Sequence, residues 1–420
     1  MESEKNYNTS SLKTFYRHHI ETDLLPFWSR ALDHQNGGIY TCYNNQGNEL
    51  ISKHKYSWSQ GRYLWLWSKL VSLIEEGKLN GNSAQIRKHL QKTIHFIGKH
   101  VFLDSGNCAF LLSETGEKIE PHPGSGYDTS IFADCFIVIG FAAYASMMKD
   151  PDCYQRATHL YKNIKHRIDN GDFRTDPYPV PDGFRSHAIP MILLNVSQEL
   201  ADAAENNGST GTGEWYRDSI RYMNDIMENF YQPEQTVKEF LPMDVSLENT
   251  VICRHLNPGH AIESMWFVIH TARKIDRSDI VQKALKAIKH AVKIGWDIDF
   301  GGLFRFVDVS GGKPDGEKRN FKLEGMISQT WDMKLWWPHA EALYALLLGY
   351  KMTGDVDLMK LHNKIHSYAF NTFPNPDPSI GEWIQIRERD GTPAEKVVAL
   401  PVKDPFHILR SLLLILDLPE

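Results

Sequence analysis

The chain has 420 residues, 42% of them hydrophobic, which is enough to bury a large core either as two or three ordinary domains or as one closed architecture. Lys plus Arg number 46 against 52 Asp plus Glu, the net charge is −6 and no run of like charge stands out, so neither nucleic acid nor an anionic membrane is expected as a partner. The five cysteines (Cys42, Cys108, Cys135, Cys153, Cys253) are odd in number, scattered and free of any C-x-x-C pair, which argues against a disulfide framework and a zinc site and for a reducing, cytoplasmic location.

A period of 3.6 residues predicts twelve helical segments, at 10–34, 56–77, 84–101, 128–148, 151–169, 186–205, 212–231, 258–275, 278–295, 336–353, 355–373 and 404–418. They come in pairs. In most pairs the first helix carries charge on one face, as at Gln282, Lys283, Lys286 and Lys289, and the second is apolar nearly all round, as from Ala340 to Tyr350, so the second is the buried one. Four of the buried helices open on a proline (Pro190, Pro258, Pro338, Pro405), a loose structural repeat. The longest apolar run, Cys135 to Met148, contains Gly140 and Ser146 and reads as too short to span a bilayer.

Between the helices lies a second recurring element. Gly37 to Tyr43 followed by Asn44-Asn45-Gln46-Gly47 reads as a strand and a turn, and so does Cys108 to Leu112 before Glu114-Thr115-Gly116. Two later copies are Gly301 to Phe306 with Ser310-Gly311-Gly312 and Gly381 to Ile386 with Arg389-Asp390-Gly391. No linker or low-complexity stretch interrupts the alternation, which predicts a single domain over 1–420. Six helix pairs close naturally into an all-α (α/α)6 barrel of six inner and six outer helices, with short β-hairpins at the rim. All six inner helices then start at the same end and converge on one cavity.

Asn257-Pro258-Gly259-His260 and Asp404-Pro405-Phe406-His407 share a pattern: a good N-cap residue, a proline, and two residues on a histidine entering an apolar helix. The positive end of a helix disfavours imidazolium, so both rings are expected to be neutral bases facing one space. A cap or a satisfied core histidine is the plainer reading of either one alone; the repeat of the pattern is what favours chemistry. His339 also follows a proline but one position earlier, and is expected to be structural. Arg62, on an otherwise aromatic helix, is a buried cation that needs a carboxylate or a substrate oxygen, with Glu341 its best partner from the opposite wall; an Arg–Glu pair that merely ties two helices is the alternative. Trp58, Trp266, Trp336, Trp337 and Trp383 serve equally well as core or as platforms for a sugar ring. There is no phosphate-binding glycine loop, Gly311-Gly312-Lys313-Pro314 being a turn with a lysine, and no H-E-x-x-H or other metal set.

At this point the motifs resemble the N-acylglucosamine 2-epimerase family, whose members are also described as renin-binding proteins. The likeness runs over nearly the whole chain: Gly37-Gly38 to Thr41-Cys42, Trp58 to Arg62, Cys108-Ala109-Phe110, Ile131 to Phe136, Pro190 to Asn195, Asn257 to Glu263, Lys334 to Ala342, Gly381-Glu382-Trp383, and Phe406-His407 with Arg410. The resemblance implies an (α/α)6 barrel and a catalytic set of Arg62, His260, Glu341 and His407. Trp58, Glu263, Lys334, Trp337, Trp383 and Arg410 are expected to bind substrate around that set. It implies a small reducing sugar as substrate, no required cofactor, ATP as an allosteric activator in some members, and a homodimer. One departure concerns substrate identity: the family usually has a glycine-rich, lysine-containing stretch before the terminal F-H, where this chain has Val397 to Pro405.

The expected reaction is interconversion of N-acetylglucosamine and N-acetylmannosamine. The C2 proton, acidified by the C1 aldehyde, leaves to one histidine and a proton returns from the other on the opposite face, with Arg62 on the enolate oxygen and Glu341 orienting. An aldose–ketose isomerase on the same scaffold is the nearest alternative. A glycoside hydrolase, using two of Glu263, Glu341 and Glu382, and a non-enzymatic sugar-binding module stand further off.

Overall fold

The structure, a computed structural model, describes residues 9–209, 211–397 and 400–419. Val398 and Ala399, within the stretch that departs from the family, lie outside the described residues. All twelve predicted segments are helical. The inner helices are Ser57–Glu75, Ile131–Met148, Ala188–Asn206, Pro258–Lys274, Trp336–Thr353 and Phe406–Asp417. The outer ones begin with Thr9–His19, continued through a π-helical turn at Ile20–Leu24 into Leu25–Arg30. Ser83–His100, Pro151–Asp169, Thr212–Asp225 (with a π turn at Ile226–Phe230), Ser278–Gly295 and Val356–Thr372 follow. Their starts are set by the residues that sequence marks for capping: the Asn82, Asp150, Asn257 and Asp355 side chains each accept a first-turn N–H. Two further helices, Val251–Arg254 and Lys322–Thr330, were not predicted, because four and nine residues are too few to show a period.

Each inner helix packs on the next and the sixth returns to the first, so the ring closes. One apolar cluster runs from Leu12 to Ala31 at the start of the chain to Leu418 at its end. The helix Ile131–Met148 reaches 18 residues and is apolar enough, by length and composition, to cross a membrane. The four residues before Cys135 give it that length, and what marks it as a core helix is that inner and outer neighbours bury most of it. Gly61 and Gly140 explain how closely it lies against the first inner helix. A Cβ on Gly61 would come 2.2 Å from the carbonyl oxygen of Phe136, and one on Gly140 would come 2.4 Å from that of Gly61.

The strands at the rim are short, as expected, but they pair differently. Only Leu111–Leu112 with Lys118–Ile119 forms a local hairpin among the named strands. Elsewhere the segment leading into one inner helix pairs with a segment far along the chain: Lys55–Tyr56 with Leu111–Leu112, Phe184–Ser186 with Phe240–Pro242, His255–Leu256 with Val307–Asp308, and Lys334–Leu335 with Ile386–Arg387. These ladders tie neighbouring inner-helix starts together, which holds the residues at the cavity mouth in register. Beneath two of them lies the same buried clasp. Lys55 Nζ binds Asp33 Oδ2 at 2.7 Å, and Lys334 Nζ binds Asp297 Oδ2 at 2.9 Å, with both ends of each pair buried. Each aspartate leads a turn ending in two glycines, Gly37-Gly38 and Gly301-Gly302. The residue after each glycine pair, Ile39 or Leu303, donates its N–H to the following inner helix, at Gln60 Oε1 or His339 Nε2. His339 is thus structural, as expected.

Candidate active site

Asn257 Oδ1 accepts the backbone N–H of His260 at 3.2 Å and fixes the first turn of the fourth inner helix. Asp404 Oδ1 does the same at the sixth, accepting from Phe406 at 2.8 Å. Gly259 has a separate reason: a Cβ there would lie 2.4 Å from the Trp337 ring, so only glycine lets that indole rest on the helix start. Trp337 then touches both histidines, its ring centroid 5.2 Å from that of His260 and 5.4 Å from that of His407. The two imidazoles therefore share one half-buried indole as a common wall. The His260 side chain is 27% exposed and that of His407 10%, so each keeps some surface open to solvent.

Each imidazole turns Nδ1 to a buried carboxylate. His260 Nδ1 lies 2.8 Å from Glu239 Oε1, and His407 Nδ1 lies 2.7 Å from Glu341 Oε1. With Nδ1–H assigned as the donor in both, Nε2 of each is left without a hydrogen-bond partner among the described residues. The two rings are shifted in opposite directions. Burial favours the neutral form of His260, but Glu239, by its charge and its hydrogen bond, raises the pKa above the ordinary value. Burial disfavours the Glu239 carboxylate too, yet His260 and His187 hold it well below the usual carboxylate range. At His407 burial, with the charges of Arg62 and Arg410 added, outweighs Glu263 and lowers the pKa to about 3. The shift at His407 runs with the expectation of a neutral ring, and the shift at His260 runs against it. The reason is Glu239, which the helix-end argument could not see because it arrives from residue 239, next to the strand Phe240–Pro242.

Arg62 is also placed differently from expectation. Its partner is Asp404, not Glu341, and its guanidinium is stacked among Phe136, Trp58 and Phe406 at 4.1, 4.8 and 4.9 Å. Its Nε is buried without a partner among the described residues. Glu341 is fully occupied otherwise: Oε1 accepts from His407 and from Arg410 Nη2 at 2.7 Å, and Oε2 accepts from Trp266 Nε1 at 2.8 Å. Arg410 also binds Glu263. One ligand atom each from Glu263, Glu341 and His407 lie within 4.8 Å of one another, a spacing that a metal could use, but the Arg410 guanidinium already joins the two carboxylates.

Of the residues expected to bind substrate, Trp58, Glu263, Trp337 and Arg410 gather around this cluster. Lys334 and Trp383 do not. Lys334 is fully buried in the clasp with Asp297, over the Phe304 ring at 4.0 Å. Trp383 is fully buried too, stacked on Phe373 at 5.4 Å and donating Nε1 to His19 Nε2 at 2.8 Å. Both belong to the structural layer beneath the rim. Sequence reading passed over Glu239 and Asp404 as site residues; Asp404 stood in the motif but was read only as a cap.

Fold and site together define an (α/α)6-barrel protein with two carboxylate-held imidazoles opening on one mouth. The chain belongs to the N-acylglucosamine 2-epimerase (GlcNAc 2-epimerase) family, whose model matches residues 38–411. It is 29% identical to the N-acylglucosamine 2-epimerase of Bos taurus, over 93% of this chain and 87% of that protein. Among solved structures it resembles the cellobiose 2-epimerase of Bacillus thermoamylovorans (TM-score 0.74, 16% identity, 97% of this chain and 99% of that one). It also resembles a D-mannose isomerase (TM-score 0.75, 15% identity, 96% and 98%).

Proposed function

We propose that the protein is a sugar epimerase that interconverts N-acetylglucosamine and N-acetylmannosamine at C2. The observation that carries this is the pair of Nε2 atoms, from His260 and His407, freed by their carboxylates while both rings lie against the one Trp337 indole. Inversion needs one neutral base and one protonated acid at the same time, and the opposite directions in which the two rings are shifted favour that division. In one direction His407 Nε2 takes the C2 proton, the C2–H electron pair moves into the enolate with charge on O1, and His260 Nε2 returns a proton to the other face. Arg62, with a buried N–H to spare, stabilises O1. The reaction consumes no cofactor; ATP as an activator and a homodimer are carried by family resemblance. The five unpaired, buried cysteines support a reducing, cytoplasmic location.

Glycoside hydrolysis is disfavoured by geometry. It needs two carboxyls free to face the bond, whereas Glu263 and Glu341 are tied to Arg410 and Glu382 is buried against Trp28 and Gln385. The test is turnover in deuterium oxide. Solvent deuterium at C2 is expected in the product, with no ketose formed, and His260→Ala or His407→Ala should lower turnover on the order of 10²–10⁴-fold. Epimer formation without exchange, or a ketose as the main product, would defeat the proposal.

A further inference from the structure

Three cations around this site each have a carboxylate against them: Arg62 has Asp404, Arg410 has Glu263 and Glu341, and His260 has Glu239. Arg305 differs. It is 5% exposed, yet among the described residues its guanidinium meets only neutral groups. Nη1 donates to Thr330 Oγ1 at 2.8 Å, Nη2 reaches Tyr178 OH and Met326 Sδ at 3.3 Å each, and the Phe306 ring lies 4.8 Å away.

Three rim segments bring it there. Arg305 stands two residues ahead of the strand Val307–Asp308, which pairs with His255–Leu256 just before the His260 turn. Thr330 and Met326 come from the helix Lys322–Thr330, and Tyr178 from the segment leading to the third inner helix. In that antiparallel register Val307 stands opposite Leu256, so Arg305, two residues earlier, lies on the rim alongside the turn that carries His260. A buried guanidinium is costly without a counter-charge, and its planar set of donors matches carboxylate and phosphate oxygens. With no carboxylate supplied by the described residues, the counter-charge that fits is one that arrives with a ligand.

We infer that Arg305, with Thr330 and Tyr178, forms a subsite beside His260 for an oxyanion substituent, carboxylate or phosphate, on the sugar. The inference rests on the sugar-site reading above and narrows its substrate class. It is tested with N-acetylglucosamine, its 6-phosphate and its 3-O-lactyl ether, in wild type, Arg305→Met and Arg305→Lys. Wild type should favour at least one charged sugar in kcat/KM by about tenfold or more. Arg305→Met should erase that preference while leaving the neutral sugar within about threefold, and Arg305→Lys should keep part of it. Which charged sugar wins separates phosphate from carboxylate. Inorganic phosphate should compete with the charged sugar and not with the neutral one.

No preference for charge in wild type, or an equal loss on charged and neutral sugars in Arg305→Met, overturns the subsite. Should none of the sugars turn over, the epimerase reading fails by itself. Calorimetric binding then decides the subsite: tighter binding of a charged sugar that is lost in Arg305→Met upholds it, and binding indifferent to charge or to Arg305 ends it.

Discussion

At His260 the backbone and a side chain pull in opposite directions. The helix start disfavours a positive ring by roughly 0.3–1 kcal/mol, but a buried carboxylate at 2.8 Å acts at shorter range and in a drier setting, and it wins. The raised pKa means that His260 keeps its proton above pH 6.5 and loses it as pH rises through the higher folded value. Activity should fall on that limb, since the proposed reaction needs one proton held between the two histidines. Glu239→Gln removes the charge and retains a hydrogen-bond acceptor. It should move the alkaline limb of kcat/KM to lower pH and cut the rate on the order of tenfold or more. A profile unmoved by Glu239→Gln would show that the carboxylate does not govern His260. Sequence revealed the histidines because cap, proline and helix are local signals. It did not reveal Glu239 or the Arg62–Asp404 pair, which depend on contacts across 21 and 342 residues.

The helices themselves were legible for the same reason: period and caps are written within one segment. The rim strands were legible as strands but not as partners, because pairing across the barrel is decided by where the inner helices land. Lys334 illustrates the consequence. Its place beside Trp336 and Trp337 suggested substrate, while its strand turns it inward onto Asp297. The two clasps differ in one respect that can be measured. Asp297 keeps a second cation, Arg389 Nε at 2.8 Å, whereas Asp33 pairs only with Lys55 among the described residues. Lys55→Met should therefore cost about 3–5 kcal/mol by stranding a buried charge, and Lys334→Met clearly less, with KM unchanged in both. A rise in KM with unchanged stability in Lys334→Met would return that lysine to the pocket. Gly61→Ala belongs to the same scale: a methyl 2.2 Å from a backbone carbonyl must push two inner helices apart, and a loss of about 1–3 kcal/mol in urea unfolding is expected.

Closing a ring of twelve helices brings the first outer helix against the last, and the closure is made with histidines. Tyr16 OH on the first outer helix meets His362 Nε2 at 3.1 Å and His366 Nδ1 at 2.9 Å on the last, and Lys13 binds the carbonyl of Leu418. Burial lowers the pKa of His362 to about 3 and of His366 to about 4, and it lowers His339 and His407 to about 3 as well. Below pH 6.5 the unfolded chain takes up protons at these four positions and the native barrel does not, so acid favours unfolding from that point downward. If all four titrate independently, stability should fall on the order of 5 kcal/mol per pH unit between about pH 6 and 4. Asp33, Asp297 and Glu239 add to the loss lower down: their depressed pKa values stabilise the fold above their ordinary values of 3.8 and 4.5, and that contribution goes as pH drops through the folded ones. Urea midpoints taken in half-unit steps from pH 7.5 to 4.5 would show this as a decline beginning well above the carboxylate range. His362→Gln should make the decline shallower by about one proton, and a midpoint that stays level down to pH 5 would mean that the histidine seam is not what acid opens.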